Sequence, residues 1–104
     1  MSPTPAKLES DFQAKLVNEL RVMFPGCYIQ KNKPGRLHET GIPDILILWK
    51  DRWAILECKR ADGSVKQPNQ GYYVDQFNEM SFASFIYPEN RQEVLDALAT
   101  AFGA

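Results

Sequence analysis

Two cysteines and one histidine in 104 residues are too few and too scattered for a zinc-ligand spacing, so a structural zinc is excluded and no disulfide framework is expected. Long apolar runs are missing as well: nothing approaches the ~20 residues that a membrane-spanning helix needs. The opening stretch MSPTPAKLES lacks the apolar core of a secretory signal. A reduced, cytoplasmic setting with no membrane partner is the expectation. Neither sign of charge is in surplus, since twelve Lys and Arg stand against thirteen Asp and Glu, with a pI near 5.8. Taken whole, that balance speaks against a polyanionic partner, whose binding is usually driven by Lys and Arg displacing counterions. Repeats, low-complexity segments and long linkers are also absent, so residues 1–104 are expected to form one domain.

What is present is unevenly distributed. Residues 27–66 hold eight Lys and Arg against five Asp and Glu, residues 67–104 hold one against five, and residues 1–26 hold three of each. A solvated basic loop set opposite an acidic helix accounts for this polarity, and so does a surface that faces phosphates.

Thr4 followed by Pro5 marks a helix start, and Leu8, Phe12, Leu16, Leu20, Met23 and Phe24 recur at three- and four-residue steps until Pro25-Gly26. CYIQKN (27–32) is rich in strand formers, and KPGRLHETG after it reads as a loop. Ile42–Trp49 and Trp53–Cys58 read as the strands of a hairpin around Lys50-Asp51-Arg52. RADGSVKQP is a second polar loop. Pro68 then suits the first turn of a helix over about residues 67–80, with Tyr72 or Tyr73, Phe77 and Met80 on its apolar side. SFASFIYP is a short strand ended by Pro88, and Asn90 with Glu93 three residues on forms a capping box for a closing helix carrying Val94, Leu95, Leu98 and Phe102. The order helix, three strands, helix, strand, helix predicts an α/β domain in which helices pack on a sheet.

Inside the hairpin, the otherwise apolar stretch GIPDILILWKDRWAILECKR carries Asp44, Glu57 and Lys59. Strand alternation puts Glu57 and Lys59 on one face and Cys58 on the other. A two-residue loop, Lys50-Asp51, sets Asp44 opposite Glu57, and a loop two residues longer sets it opposite Lys59; an odd loop would send the two carboxylates to opposite faces. In the even register their Cβ atoms would lie roughly 4.5–5.5 Å apart. Carboxylates that close repel unless a cation lies between them, and hard oxygen ligands suit Mg²⁺ or Mn²⁺. A lysine beside such an ion can orient a water or offset the negative charge that grows as water adds to phosphorus. Alone, Pro-Asp often opens a turn, and Glu-X-Lys is ordinary on a hairpin edge. Their joint occurrence on adjacent strands is what carries weight.

Pro43-Asp44 followed on the next strand by Glu57-Cys58-Lys59 resembles the motif of the PD-(D/E)XK nuclease superfamily, over about residues 7–88. The resemblance implies a restriction-endonuclease-like αβββαβ core with an additional C-terminal helix. It implies a divalent metal, Mg²⁺ or Mn²⁺, held by Asp44, Glu57 and the backbone carbonyl of Cys58, with Lys59 assisting hydrolysis. The Cys58 side chain itself reads as a small core residue. By the same resemblance Glu9 on the first helix is a further metal-binding, catalytic carboxylate; it shares a face with Phe12 and Leu16, and Glu19 is its rival. Gln70 in QPNQGYYV is similar to the catalytic-site Gln of the VRR-Nuc branch. That branch and the Holliday junction resolvases, often phage-encoded and homodimeric, are the most similar, although NEMSFASF lacks the glycine that VRR-Nuc members carry before the last core strand.

The implied function is that of a Mg²⁺-dependent deoxyribonuclease, an endonuclease selective for branched DNA, acting as a homodimer in the cytoplasm, or in the host cytoplasm if phage-encoded. Lys31, Lys33, Arg36, Lys50, Arg52, Arg60 and Lys66 are expected on strand ends or loops bordering the site, where they would track phosphates, and His38 would touch one. With no helix-turn-helix or zinc finger, specificity would come from nucleic-acid shape or a partner. The competing expectations are an exonuclease, a restriction-type or homing-type endonuclease, and a DNA-binding module that keeps the fold without catalysis. Phe77, Phe82, Phe85, Tyr72 and Tyr73 are expected in the core, with any leftover patch serving dimerisation.

Overall fold

A computed structural model describes residues 5–32, 43–59 and 70–104. The spacing of apolar residues in the first segment forms α1 (Pro5–Met23), which stops where Gly26 takes a φ of 83°. Then follow β1 (Tyr28–Lys31), β2 (Ile45–Trp49), β3 (Arg52–Cys58), α2 (Gln70–Met80), β4 (Phe82–Ile86) and α3 (Arg91–Phe102). This is the order of helices and strands expected from the sequence. Thr4, Ile42 and residues 67–69, including Pro68, lie outside the described residues.

The four strands form one sheet in the order β1-β2-β3-β4. The first three run antiparallel, and β4 lies parallel to β3, with Glu57 level with Phe85. A parallel neighbour requires a crossover, and α2 lies within it, packed over β3 and β4. The β2–β3 turn consists of Lys50 and Asp51, because Trp49 pairs with Arg52 and Ile45 with Leu56. The next step of that register sets Asp44 against Glu57 on one face, as the even loop demands.

One face of the sheet meets α1 and α3. There Leu16, Leu20, Phe24, Ile45, Ile47, Leu56, Ile86, Leu95 and Leu98 are buried together, each contributing roughly 1.5–3 kcal/mol relative to exposure. On the opposite face Ile55, Val74 and Ala83 form a smaller cluster, flanked by Leu46, Trp53, Phe77 and Phe85. Of the two tyrosines, Tyr73 turns inward and stacks on Phe77, whereas Tyr72 is exposed. Phe82 belongs to the α1–α3 side instead.

Three local expectations change. Met80 does not join the apolar side of α2, since it ends the helix at 68% exposure. Asn90 precedes α3 but makes no side-chain cap: its Oδ1 accepts the N–H of Tyr87 and its Nδ2 donates to the carbonyl of Phe85, so the amide tightens the turn behind the helix. Finally, β2 begins at Ile45, with Asp44 in a bend after Pro43. Among the described residues, no helix is long and apolar enough to cross a membrane.

Candidate metal centre

The open end of the β2–β3 hairpin collects the acidic residues. Asp44 lies in the bend before β2, Glu57 is the penultimate residue of β3, and Glu9 comes from the second turn of α1. One carboxylate oxygen from each lies within 4.8 Å of the other two. Three acidic side chains separated by up to 48 positions in sequence thus meet at one point.

Glu57 is 2% exposed, and its Oε2 has no hydrogen-bond partner among the described residues. A carboxylate oxygen in that position carries a desolvation cost that nothing visible offsets. Burial, above all, pushes the Glu57 carboxyl up to about 9. The hydrogen bond with Asp44 and the charges of Asp44 and Glu9 push the same way, and the Lys59 ammonium opposes them. Asp44 is held differently, because its Oδ2 accepts the N–H of Cys58 at 3.0 Å.

Lys59 follows β3 and is 7% exposed, with its Nζ donating to Oε1 of Gln70 at 2.7 Å; Gln70 itself, at the start of α2, is 7% exposed. The Lys59 backbone N–H donates to the carbonyl of Ile86, so the parallel pairing with β4 continues past Cys58 and holds the residue in place. An amide oxygen buried against an ammonium fixes where the cation lies. Cys58 turns its side chain to the other face, fully buried in the α1–α3 core. Its thiol is pushed well above the ordinary range, chiefly by burial and then by the charges of Asp44 and Glu57, so it is not a nucleophile near neutral pH.

The rivalry between the two α1 carboxylates is resolved by position. Glu19 forms an ion pair with Arg91 at the start of α3 and stands about 15 Å along the helix from Glu9, at ~1.5 Å per residue. Glu9 is the acid that reaches Asp44 and Glu57.

The basic residues divide. Lys31 is exposed at the end of β1 and paired with Ile45, so strand alternation sends its side chain to the α1–α3 side, the face opposite to Asp44 and Glu57. Lys33, Arg36, His38, Arg60 and Lys66 lie outside the described residues. Lys50 and Arg52 do not border the site, contrary to expectation. They sit at the turn, about 20 Å from Asp44 at ~3.3 Å per strand residue. There Lys50 Nζ lies 4.2 Å from the centroid of the Trp49 ring, and Arg52 Nη1 donates to the carbonyl of Ala101 at 2.8 Å.

Asn32, to which the sequence reading assigns no role, lies against the bend that carries Asp44. Its backbone N–H donates to the carbonyl of Asp44 at 2.7 Å and its Nδ2 to the carbonyl of Pro43 at 2.9 Å. An Asn at the end of a polar strand carries no signal of such a partner, because the contact depends on how β1 pairs with β2.

An all-oxygen donor set, one of whose atoms is buried with no hydrogen-bond donor among the described residues, fits a hard divalent cation of the Mg²⁺ or Mn²⁺ kind. No family model, no curated protein and no solved structure matches the chain, so any chemistry assigned to it rests on this arrangement of Glu9, Asp44, Glu57, Lys59 and Gln70.

Proposed function

We propose that the chain is a Mg²⁺- or Mn²⁺-dependent nuclease that hydrolyses DNA phosphodiester bonds. The observation that carries this reading is the buried Oε2 of Glu57, which has no donor among the described residues, within a three-carboxylate cluster beside a buried lysine. A cation held by Glu9, Asp44 and Glu57, with the Cys58 carbonyl as a further ligand, would supply Lewis-acid stabilisation to a phosphoryl group. The chain's own residues do the rest. Asp44 is oriented through its Oδ2 by the Cys58 N–H, which turns the carboxylate toward the cluster. Gln70 holds the Lys59 ammonium, whose fixed positive charge suits the orientation of an attacking water or the oxygens on which negative charge accumulates. A preorganised cation in a buried setting needs little rearrangement at the moment of reaction.

The order of elements supports the PD-(D/E)XK reading and its αβββαβ core with an added helix, because that order is what the resemblance carried by Asp44 and Glu57-Cys58-Lys59 implies. Branched DNA, a homodimer, a phage origin and a cytoplasmic location belong to the same proposal, through the similarity to VRR-Nuc and Holliday junction resolvase enzymes. Lys31, exposed at the end of β1 and so at the same end of the sheet as the carboxylates, would meet a phosphate of a strand that reaches the sheet edge.

Incubating the purified protein with a labelled four-way junction, a linear duplex and a single strand, in Mg²⁺, Mn²⁺ or chelator, tests the reading. Symmetric cuts near the crossover support a junction-cutting endonuclease. Shortening from ends points instead to an exonuclease, and retarded bands without products to a binding module. Cleavage by Asp44→Asn at the wild-type rate would remove the metal site from the mechanism.

A further inference from the structure

We propose that Asn32 is the positioning residue of the metal centre, and that Gln30 orients it. This rests on the metal-site reading above and assigns to the site a support that its carboxylates cannot provide for themselves. Asp44 stands outside the regular ladder: β2 starts one residue later, and Pro43 before it has no N–H with which to pair. The bend is therefore held by its carbonyls. Asn32 takes both of them, the Asp44 carbonyl through its backbone N–H at 2.7 Å and the Pro43 carbonyl through Nδ2 at 2.9 Å.

Pro43 is fully buried, so its carbonyl needs a donor that is not water, and the side chain of Asn32 supplies one. Because the amide has two distinguishable ends, something must decide which one faces Pro43. Gln30, two residues earlier on the same face of β1, donates Nε2 to Oδ1 of Asn32 at 3.1 Å and so directs the NH₂ group inward. A chain of two amides thus runs from the exposed edge strand to the residue that carries the Asp44 carboxylate. The carboxylate itself accepts the Cys58 N–H from β3. Between them, β1 secures the backbone of Asp44 and β3 its side chain.

Loss of the Asn32 amide leaves the Pro43 carbonyl without its donor and lets the bend relax, so the Asp44 oxygens leave their positions opposite Glu9 and Glu57. Outer partners of this kind typically change metal affinity by about 10–100-fold when removed. Asn32→Leu, which keeps the branching at Cγ, and Asn32→Ala are expected to weaken Mn²⁺ binding by about that factor. In chelator their thermal midpoints should fall by several degrees, because a buried carbonyl loses its donor, yet unfolding should stay cooperative, since the backbone bond from Asn32 to Asp44 persists. Gln30→Leu, at an exposed position, should weaken binding in the same direction by less.

Calorimetric titration with Mn²⁺, run beside thermal unfolding in chelator, reads all of these. Asn32 variants that bind Mn²⁺ like the wild type overturn the proposal. So does an affinity loss that merely follows a collapse in chelator stability while Gln30→Leu binds unchanged. A wild-type chain that binds no Mn²⁺, or an Asp44→Asn variant that binds as tightly as wild type, instead removes the metal-site reading and the role of Asn32 with it.

Discussion

At the turn end of the β2–β3 hairpin, Lys50 lies over Trp49 and Arg52 reaches the last turn of α3. Beneath them Phe24, Trp49 and Phe102 form a cluster of rings with centroids 5.0–6.1 Å apart. At the open end, some 20 Å away by strand rise, ionisable groups are buried together, and one oxygen has no donor among the described residues. The same two strands therefore serve opposite ends. Charge at the turn stays in water and contributes little either way, while the aromatic rings beneath it hold the sheet to α1 and α3. Charge at the open end opposes folding until something neutralises it, as the proposed cation would.

The sharpest way to break this contrast is at Glu57. Glu57→Gln removes one anionic ligand, and Mg²⁺-dependent cleavage should fall to the level seen in chelator, while the metal-free fold becomes more stable near neutral pH. A parallel assay of cleavage and denaturant midpoint reads both. At the other end, Phe24→Ala should lower stability by about 3–5 kcal/mol through an unfilled space among the rings. Mn²⁺ affinity of the folded fraction should not change, as calorimetry below the unfolding transition can establish.

Lys59→Met is expected to slow turnover by about 10²–10³-fold, by analogy with the loss of one stabilising donor to developing charge. Mn²⁺ should bind as before or more tightly, because a neighbouring cation has gone; an equal loss of binding and turnover would make Lys59 a structural residue only.

A fourth prediction concerns pH. The folded Glu57 carboxyl, raised from an ordinary 4.5 to about 9, keeps its proton at pH values where the unfolded chain has lost it. Below 4.5 both states are protonated and the residue has no effect. Between 4.5 and 9 the folded state binds more protons, so metal-free stability should fall as pH rises. Denaturant midpoints in chelator at pH 6, 7 and 8 should decline in the wild type, and Glu57→Gln should lose that part of the decline. For the same reason, binding Mn²⁺ near neutral pH should release a proton, visible as a buffer-dependent enthalpy.

The smallest effect lies at the turn. Lys50 holds a φ of 57°, which glycine adopts without strain. Lys50→Gly should raise stability by less than about 1 kcal/mol, once the lost contact with Trp49 is set against the relieved strain. Cleavage should be unaffected, because the turn is remote from the carboxylates.

Much of this contrast is legible before any folding. The three- and four-residue spacing from Phe12 to Phe24 names the buried face of α1, and the alternation in ILILW and RWAILEC names both faces of the hairpin. Two residues between Trp49 and Arg52 suffice to bring Asp44 and Glu57 to one side, since loop parity governs the face. Less could be read where side chains choose among partners. Asn90 and Glu93 spell a capping box, yet the Asn90 amide turns back to the carbonyl of Phe85 and the N–H of Tyr87, five and three residues earlier, where the chain leaves β4. Lys50 and Arg52 resemble the other basic residues in composition, and it takes the direction of the hairpin to send them to the wrong end.

Local order and the faces of each element follow from periodicity, which acts between residues near one another along the chain; even and odd loops are both open to the sequence, and the pairing of Trp49 with Arg52 is what sets Asp44 against Glu57. The choice of Glu9 over Glu19, the seating of Lys59 against Gln70 and the hold of Asn32 on Pro43 and Asp44 depend on how α1, α2 and β1 dock around β3. Hydrogen bonds and charge clusters act over a few ångströms, so partners distant in sequence are chosen only when packing brings their elements together.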